Sequence, residues 1–164
     1  MQTHRYAVEV DGTPAEVWSL FWYRGARRRT SSGVTIEILH PGDDVGEGLV
    51  RHCTFRVPRY LLTGGVGQSW EWLTQVEPPV SWHYDAIGRP PWSRAEGLTR
   101  LEDLGDGRTR VWFTERYHVH NPLTRALLEA RVHRFISRDN DRTLASALTR
   151  GLEHLRARQA GSAS

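Results

Sequence analysis

Two charged residues in this chain stand where charge is costly. Arg51 interrupts Leu49, Cys53, Phe55 and Val57, the apolar face of an alternating segment, and Glu115 interrupts Val111, Phe113, Tyr117 and Val119 in another. A charge on a face that packs against another element needs a partner. Two arrangements would supply one. Arg51 and Glu115 form a structural ion pair, or they form a site in which Arg51 polarises a ligand carbonyl or enolate and Glu115 moves protons. Burial would raise the Glu115 pKa toward neutrality, and a neighbouring guanidinium would lower it. His133, later in the chain, is a third group able to exchange protons near neutral pH.

Other chemistries have little to stand on. All 22 basic residues are arginine, so no lysine is present to form a Schiff base. No Gly-x-Ser-x-Gly elbow occurs, and Gly64, Gly65 and Gly67 make a run too short for a phosphate loop, with no helix after it. No nucleotide or flavin cofactor is therefore expected. Cys53 is the single cysteine, placed as a buried strand residue, which agrees with a reducing compartment. His118 and His120 share one face of a strand, as do His83 and Asp85, but no third ligand accompanies either pair, and no metal is expected. The net charge of +3 is spread along the chain, and its one cluster, Arg27 to Arg29, reads as a solvated loop or helix end rather than a nucleic-acid site. No apolar run is long enough to span a membrane, and Met1 to Tyr6 has no apolar leader, so the chain is expected to be soluble and cytoplasmic.

The elements that must position these residues follow from periodicity and turn chemistry. Tyr6 to Val10 alternates as a strand. Thr13, Pro14 and Glu16 then supply an N-cap, a first-turn proline and a capping-box acid, with Val17, Leu20 and Phe21 as the inner face of a short helix. One more short helix or a loop carries the chain to Gly33. Six strands follow: Val34 to His40, Leu49 to Val57, Gln68 to Glu77, Val80 to Ile87, Arg94 to Leu104 and Arg108 to Val119, the last two joined through Gly105-Asp106-Gly107. Asn121 caps and Pro122 begins a long helix that runs to about Arg158. Its second half carries one apolar stripe, Leu144, Ala147, Leu148, Gly151, Leu152 and Leu155. Continued backwards, that stripe becomes polar at His133, Ser137 and Asn140, while Leu128, Val132, Phe135 and Ile136 point elsewhere. Residues 1-158 are expected to form one α+β domain, a seven-stranded curved antiparallel sheet gripping the long helix, with 159-164 a disordered tail.

The element order, the opening Val8 to Trp18 with its Thr13-Pro14-Ala15-Glu16 start, the Val76-Glu77-Pro78-Pro79 turn, the Asp106-to-Val111 hairpin and the stretch Arg138 to Leu144 together resemble the START-like (SRPBCC) superfamily, and within it the bacterial polyketide cyclase/dehydrase-like group. The resemblance covers nearly the whole chain, but its motifs are caps and turns, which identify a fold better than a reaction. It implies a helix-grip fold with a cavity between sheet and last helix. The superfamily includes aromatase/cyclases, lipid and sterol carriers, hormone receptors and pollen allergens.

With the more apolar face of each strand turned to the helix, the expected chamber is lined by Trp70, Trp72, Trp82, Tyr84, Thr99, Phe113 and Tyr117, and roofed by His133, Ser137 and Asn140. Tyr60, Leu61 and Trp92 are placed in loops that could close its mouth. As an enzyme such a protein would resemble a cofactor-free polyketide cyclase/dehydratase, with Arg51, Tyr84 and Tyr117 as candidate donors and Glu115 or His133 as the candidate acid/base. The competing readings are a carrier or sensor of a lipid, quinone or sterol-like ligand, and a homodimer using the Leu128-to-Ile136 stripe.

Overall fold

The computed structural model describes residues 2–22, 27–30, 33–57, 59, 64–89, 94–118 and 122–162, without the side chains of residues 2, 28, 89, 122–124, 127, 128, 132, 133, 135, 136, 139–142 and 162. Its elements are β1 (Gln2–Val10), α1 (Pro14–Phe21), β2 (Arg27–Arg29), β3 (Thr35–His40), β4 (Val50–Arg56), β5 (Val66–Glu77), β6 (Ser81–Arg89), β7 (Arg94–Gly105), β8 (Arg108–His118) and α2 (Pro122–Ser162). The eight strands form one antiparallel sheet in the order β1-β8-β7-β6-β5-β4-β3-β2. Seven of them are those the alternation predicts. The eighth, β2, is a three-residue edge strand made of the arginine run, which pairs with Thr35 to Glu37 instead of ending a helix. The chain's first strand lies beside its last, Val8 opposite Val111 and His4 opposite Glu115.

The helix-grip arrangement follows from which surfaces are apolar. Thr13 and Glu16 close a reciprocal capping box on α1, the Glu16 N–H reaching Thr13 Oγ1 at 3.3 Å and the Thr13 N–H reaching Glu16 Oε2 at 2.8 Å. The helix drives Val17, fully buried, into a core with Val8, Val10, Leu101, Val111 and Phe113 from the sheet and Leu148 and Leu152 from α2. Gly12 lets α2 come that close, because a Cβ there would meet the Leu152 methyl carbons at 2.9 Å. The Thr109 hydroxyl, buried beneath, donates to the Gly12 carbonyl at 2.6 Å. The stripe expected to clamp α2 on the sheet does so.

α2 is 41 residues long, about 60 Å along its axis, and runs as one continuous helix to Ser162. It thus extends beyond Arg158, where the helical pattern was expected to give way to a tail. The side chains of the Leu128, Val132, Phe135 and Ile136 stripe lie outside the described residues.

One strand has its faces reversed relative to expectation. On β5 the buried positions are Gly67, Ser69 and Leu73, with Glu71 half-buried between them, whereas Trp72 is 36% exposed and Trp70 stacks on His52 at 4.8 Å on the other side of the sheet. Strict alternation back from Val76 had turned both tryptophans inward. Val76 does face inward, but Gln75 adopts φ 52° and the pairing with β6 slips between Thr74 and Glu77, so the phase inverts between Leu73 and Val76.

Glu16 serves both helices, and this makes the fold sensitive to acid. Arg156 of α2 donates from Nε to Glu16 Oε1 at 3.1 Å and from Nη2 to the Asp11 carbonyl at 2.8 Å. The Arg156 bond, followed by the Thr13 backbone bond, lowers the Glu16 pKa from 4.5 to about 2. A carboxyl whose folded pKa is depressed stabilises the fold above its unfolded pKa and loses that contribution as pH falls through the folded value. Glu16→Gln is expected to lower Tm at pH 6, and the gap to the parent protein should close between pH 4.5 and about 2 in thermal melts.

Candidate functional site

The inner face of the sheet divides into a packed half and a polar half. The packed half lies under α1, where Trp82, 3% exposed, meets Trp18 edge-on at 5.2 Å and Phe21 at 4.8 Å, and Phe113 stacks on Tyr6 at 4.8 Å. Further along the strands, inward-facing positions become small: Ala86 on β6, Ala95 and Gly97 on β7. Around these small residues stand Arg51, Ser69, Glu71, Tyr84, Glu115 and Tyr117, with Phe55 and Val57 as apolar neighbours.

Arg51 is not paired with Glu115. It faces Glu71 across the β4–β5 ladder, with Nε and Nη2 both 2.7 Å from Glu71 Oε2, and Ser69 Oγ donates to Glu71 Oε1 at 2.8 Å. Burial works against the guanidinium charge, but the adjacent carboxylate outweighs it and holds the Arg51 pKa above its ordinary value. Sequence reading put Glu71 on the outer face, so the partner that matters most to Arg51 was missed; the β5 bulge is the reason. Cys53 sits beside this pair, and burial first, then the Glu71 charge, push its thiol well above the usual range, leaving it an un-ionised core residue.

Glu115 is served by phenols. Tyr117 donates to its Oε2 at 2.8 Å, and Tyr84 approaches from two strands away. The Tyr84 ring packs against Gly97, the residue opposite Glu115: a Cβ on Gly97 would collide with Tyr84 Cε1 and stand 2.8 Å from its hydroxyl. Gly97 is needed for space, not for an unusual φ. Burial foremost, then the charge of Glu115, push both phenols well above their ordinary pKa, so both remain protonated donors. On the opposite side of Glu115, His4 of β1 is its cross-strand partner and stacks on Tyr6 at 4.8 Å. His4 and Tyr6 were not among the expected site residues. The signal that could have found them is strand order, which sequence alone does not reveal.

In the first half of α2 the buried side chains among the described residues are polar. Glu129, 7% exposed, and Ser137, 8% exposed, lie in its first half, and Ser137 Oγ has no hydrogen-bond partner among the described residues. Arg125 lies 3.7 Å from Glu129 and 3.0 Å from His118 Nε2 at the end of β8. A guanidinium only donates, so His118 accepts through Nε2 and carries its proton on Nδ1. A buried hydroxyl without a partner costs about 1–3 kcal/mol, and a ligand or water meeting Ser137 would remove that cost.

The chain can be placed in a known family. The model for polyketide cyclase/dehydrase and lipid transport proteins matches residues 1–159. The chain belongs to that family. Solved structures agree at the level of fold. An aromatase/cyclase, Zhui, from Streptomyces sp. R1128 is 18% identical, with 93% of each chain covered and a TM-score of 0.66. A START superfamily protein from Mycobacterium smegmatis is 14% identical over 93% of this chain and 98% of its own, at a TM-score of 0.65. A conserved protein from Geobacillus kaustophilus is 17% identical over 96% of both chains, at 0.64. No curated protein matches the chain.

Set in this family's fold, the expected site residues sort into three groups. Arg51, Tyr84, Thr99, Glu115 and Tyr117 are on the inner face, and Ser137 is buried on the helix. Trp82 and Phe113 are also on the inner face but are committed to the core under α1, while Trp70 and Trp72 are on the outer face. The side chains of His133 and Asn140, and all of Tyr60, Leu61 and Trp92, lie outside the described residues. Among those described, no three His, Cys, Asp or Glu side chains are grouped to hold a metal, and no helix is long and apolar enough to cross a membrane.

The seat of Tyr84 gives a direct test. Gly97→Ala is expected to destabilise the fold by about 1–3 kcal/mol through overpacking against Tyr84. In urea denaturation, most of that loss should disappear in the Tyr84→Ala background, where the new methyl group has nothing to strike.

Proposed function

We propose that the chain binds a hydrophobic or aromatic small molecule between the polar half of the inner face and the first half of α2, and that it closes a ring on, or dehydrates, a polyketide-like substrate without a cofactor. The observation that carries this reading is the Glu115 carboxylate, which accepts from Tyr117 and lies close enough to the Gly97-seated Tyr84 for its charge to be felt there, with His4 opposite Glu115 in the neighbouring strand. The protonated phenols there can orient the oxygens of a ligand that meets this face.

The chemistry asked of these groups is ordinary acid/base work. The Glu115 carboxylate takes a proton from a carbon between two carbonyls, and the Tyr84 phenol stabilises the enolate oxygen by hydrogen bonding. The enolate carbon attacks a second carbonyl of the same chain and forms one carbon–carbon bond. The new alkoxide recovers the proton from Glu115, and loss of that hydroxyl with a neighbouring hydrogen releases water. Arg51, engaged by Glu71, positions the β4–β5 wall instead of polarising a carbonyl.

That engagement also favours a second reading. With the guanidinium of Arg51 occupied by Glu71, the inner face suits a non-catalytic carrier of a lipid, quinone or sterol-like molecule. Glu115→Gln separates the two. For a cyclase, turnover of a poly-β-ketone surrogate should fall by roughly 100-fold or more while the ligand still binds. Turnover unchanged by Glu115→Gln, or an unmodified lipid or quinone retained by the purified protein in native mass spectrometry, would support the carrier.

A further inference from the structure

The hydroxyl groups of α2 do not all behave alike. Ser146 Oγ donates to the Thr143 carbonyl at 3.0 Å, and Thr149 Oγ1 donates to the Ala145 carbonyl at 3.0 Å. Such bonds back to the preceding turn are a common resting place for a hydroxyl inside a helix. Ser137 Oγ makes no bond of this kind and has no hydrogen-bond partner among the described residues, although the residue is only 8% exposed.

Helical phase gives its direction. Ser137 precedes Leu144 and Leu148 by seven and eleven residues, close to two and three turns, so the three share one face of α2. Leu148 packs with Val8, Val111 and Phe113 of the sheet, and Leu144 packs against the same cluster. Ser137 therefore lies on the face of α2 turned to the inner side of the sheet, beyond the end of the leucine stripe. An alanine at this position would give better helix propensity and leave no unsatisfied atom. The serine is a stability cost with no return inside the free protein.

We propose that Ser137 determines specificity at the ligand site between α2 and the inner face: it selects an uncharged ligand that presents a hydroxyl or carbonyl oxygen to α2. The inference rests on the ligand-binding reading of that site, and it holds for a cyclase and a carrier alike. A serine hydroxyl donates to a carbonyl oxygen and either donates to or accepts from a ligand hydroxyl, so both groups suit it. A site with a buried hydrogen-bonding group rejects the analogue that lacks the matching oxygen, because the group is then left unpaired. A hydroxyl does not neutralise a carboxylate, and Arg51 is already held by Glu71, so an anionic ligand loses its water without gaining a counter-charge from either. The cost carried by the free protein is released when the ligand binds.

Fluorescence titration of the full chain with 2-naphthol, naphthalene and 2-naphthoate, together with thermal melts of the unliganded protein, tests it. 2-Naphthol should bind roughly fivefold more tightly than naphthalene, and 2-naphthoate more weakly than both. Ser137→Ala should bring 2-naphthol and naphthalene to equal affinity. It should also raise the Tm of the unliganded protein by roughly 2–4 °C, whereas loss of a hydrogen bond made inside the protein would lower it. The proposal is overturned if the parent protein shows no preference for 2-naphthol, if Ser137→Ala keeps that preference, if the Tm of Ser137→Ala falls, or if 2-naphthoate matches 2-naphthol. Naphthalene separates this inference from the reading beneath it: naphthalene bound without a preference for 2-naphthol overturns the role of Ser137 alone, and failure of both to bind overturns the ligand site and the role of Ser137 together.

Discussion

A buried charge with no partner is the cost this sheet is built to avoid, and the Arg51–Glu71 pair is where it does so most completely. Both side chains are largely buried, face each other across adjacent strands and share one short contact, with Ser69 completing the second carboxylate oxygen. Removing either partner would leave the other stranded in low dielectric, which is far worse than never having had the pair. The pair therefore fixes the register of β4 on β5. That register places Leu49 and Leu73 under α1 on one side and Phe55 against Gly67 on the other. Packing at both ends of the inner face depends on it.

The two halves of α2 answer to different physics. From Leu144 onwards the helix buries leucines against β1, β8 and α1, and Arg156 finishes the attachment. Before that point its buried described side chains are Glu129 and Ser137, which gain little from apolar neighbours. A helix that is apolar along one half of its underside and polar along the other cannot pack uniformly on a sheet. The sheet mirrors this division: large core residues face the apolar half, and alanine, glycine, phenols and carboxylates occupy the rest.

Much of this was legible in the sequence. The Thr13 capping box, the hairpin at Gly105 to Gly107 and the alternation in β4, β6, β7 and β8 each rest on local chemistry, and each appears where expected. The inward placement of Arg51, Tyr84, Thr99, Glu115 and Tyr117 followed from period-two patterns that no bulge interrupts. β5 was misread because a single left-handed residue, Gln75, inverts its phase, and nothing about glutamine announces that conformation. The error had a large effect, since it hid Glu71 and offered Trp70 and Trp72 in its place. His4 escaped for a different reason: its position beside Glu115 is created by pairing of the first and last strands, a contact separated by most of the chain. Local patterns carry the faces of strands, and long-range pairing assembles the site.

The edge strand β2 has a further consequence. Its three residues are all arginine, and they form one margin of an otherwise open sheet. Exposed strand margins invite a second sheet to pair with them at a spacing of about 4.8 Å. Two such margins brought together would oppose guanidinium rows at less than the roughly 8 Å over which physiological salt screens charge. Like charge along the arginine run thus disfavours the joining of two copies of this sheet along β2.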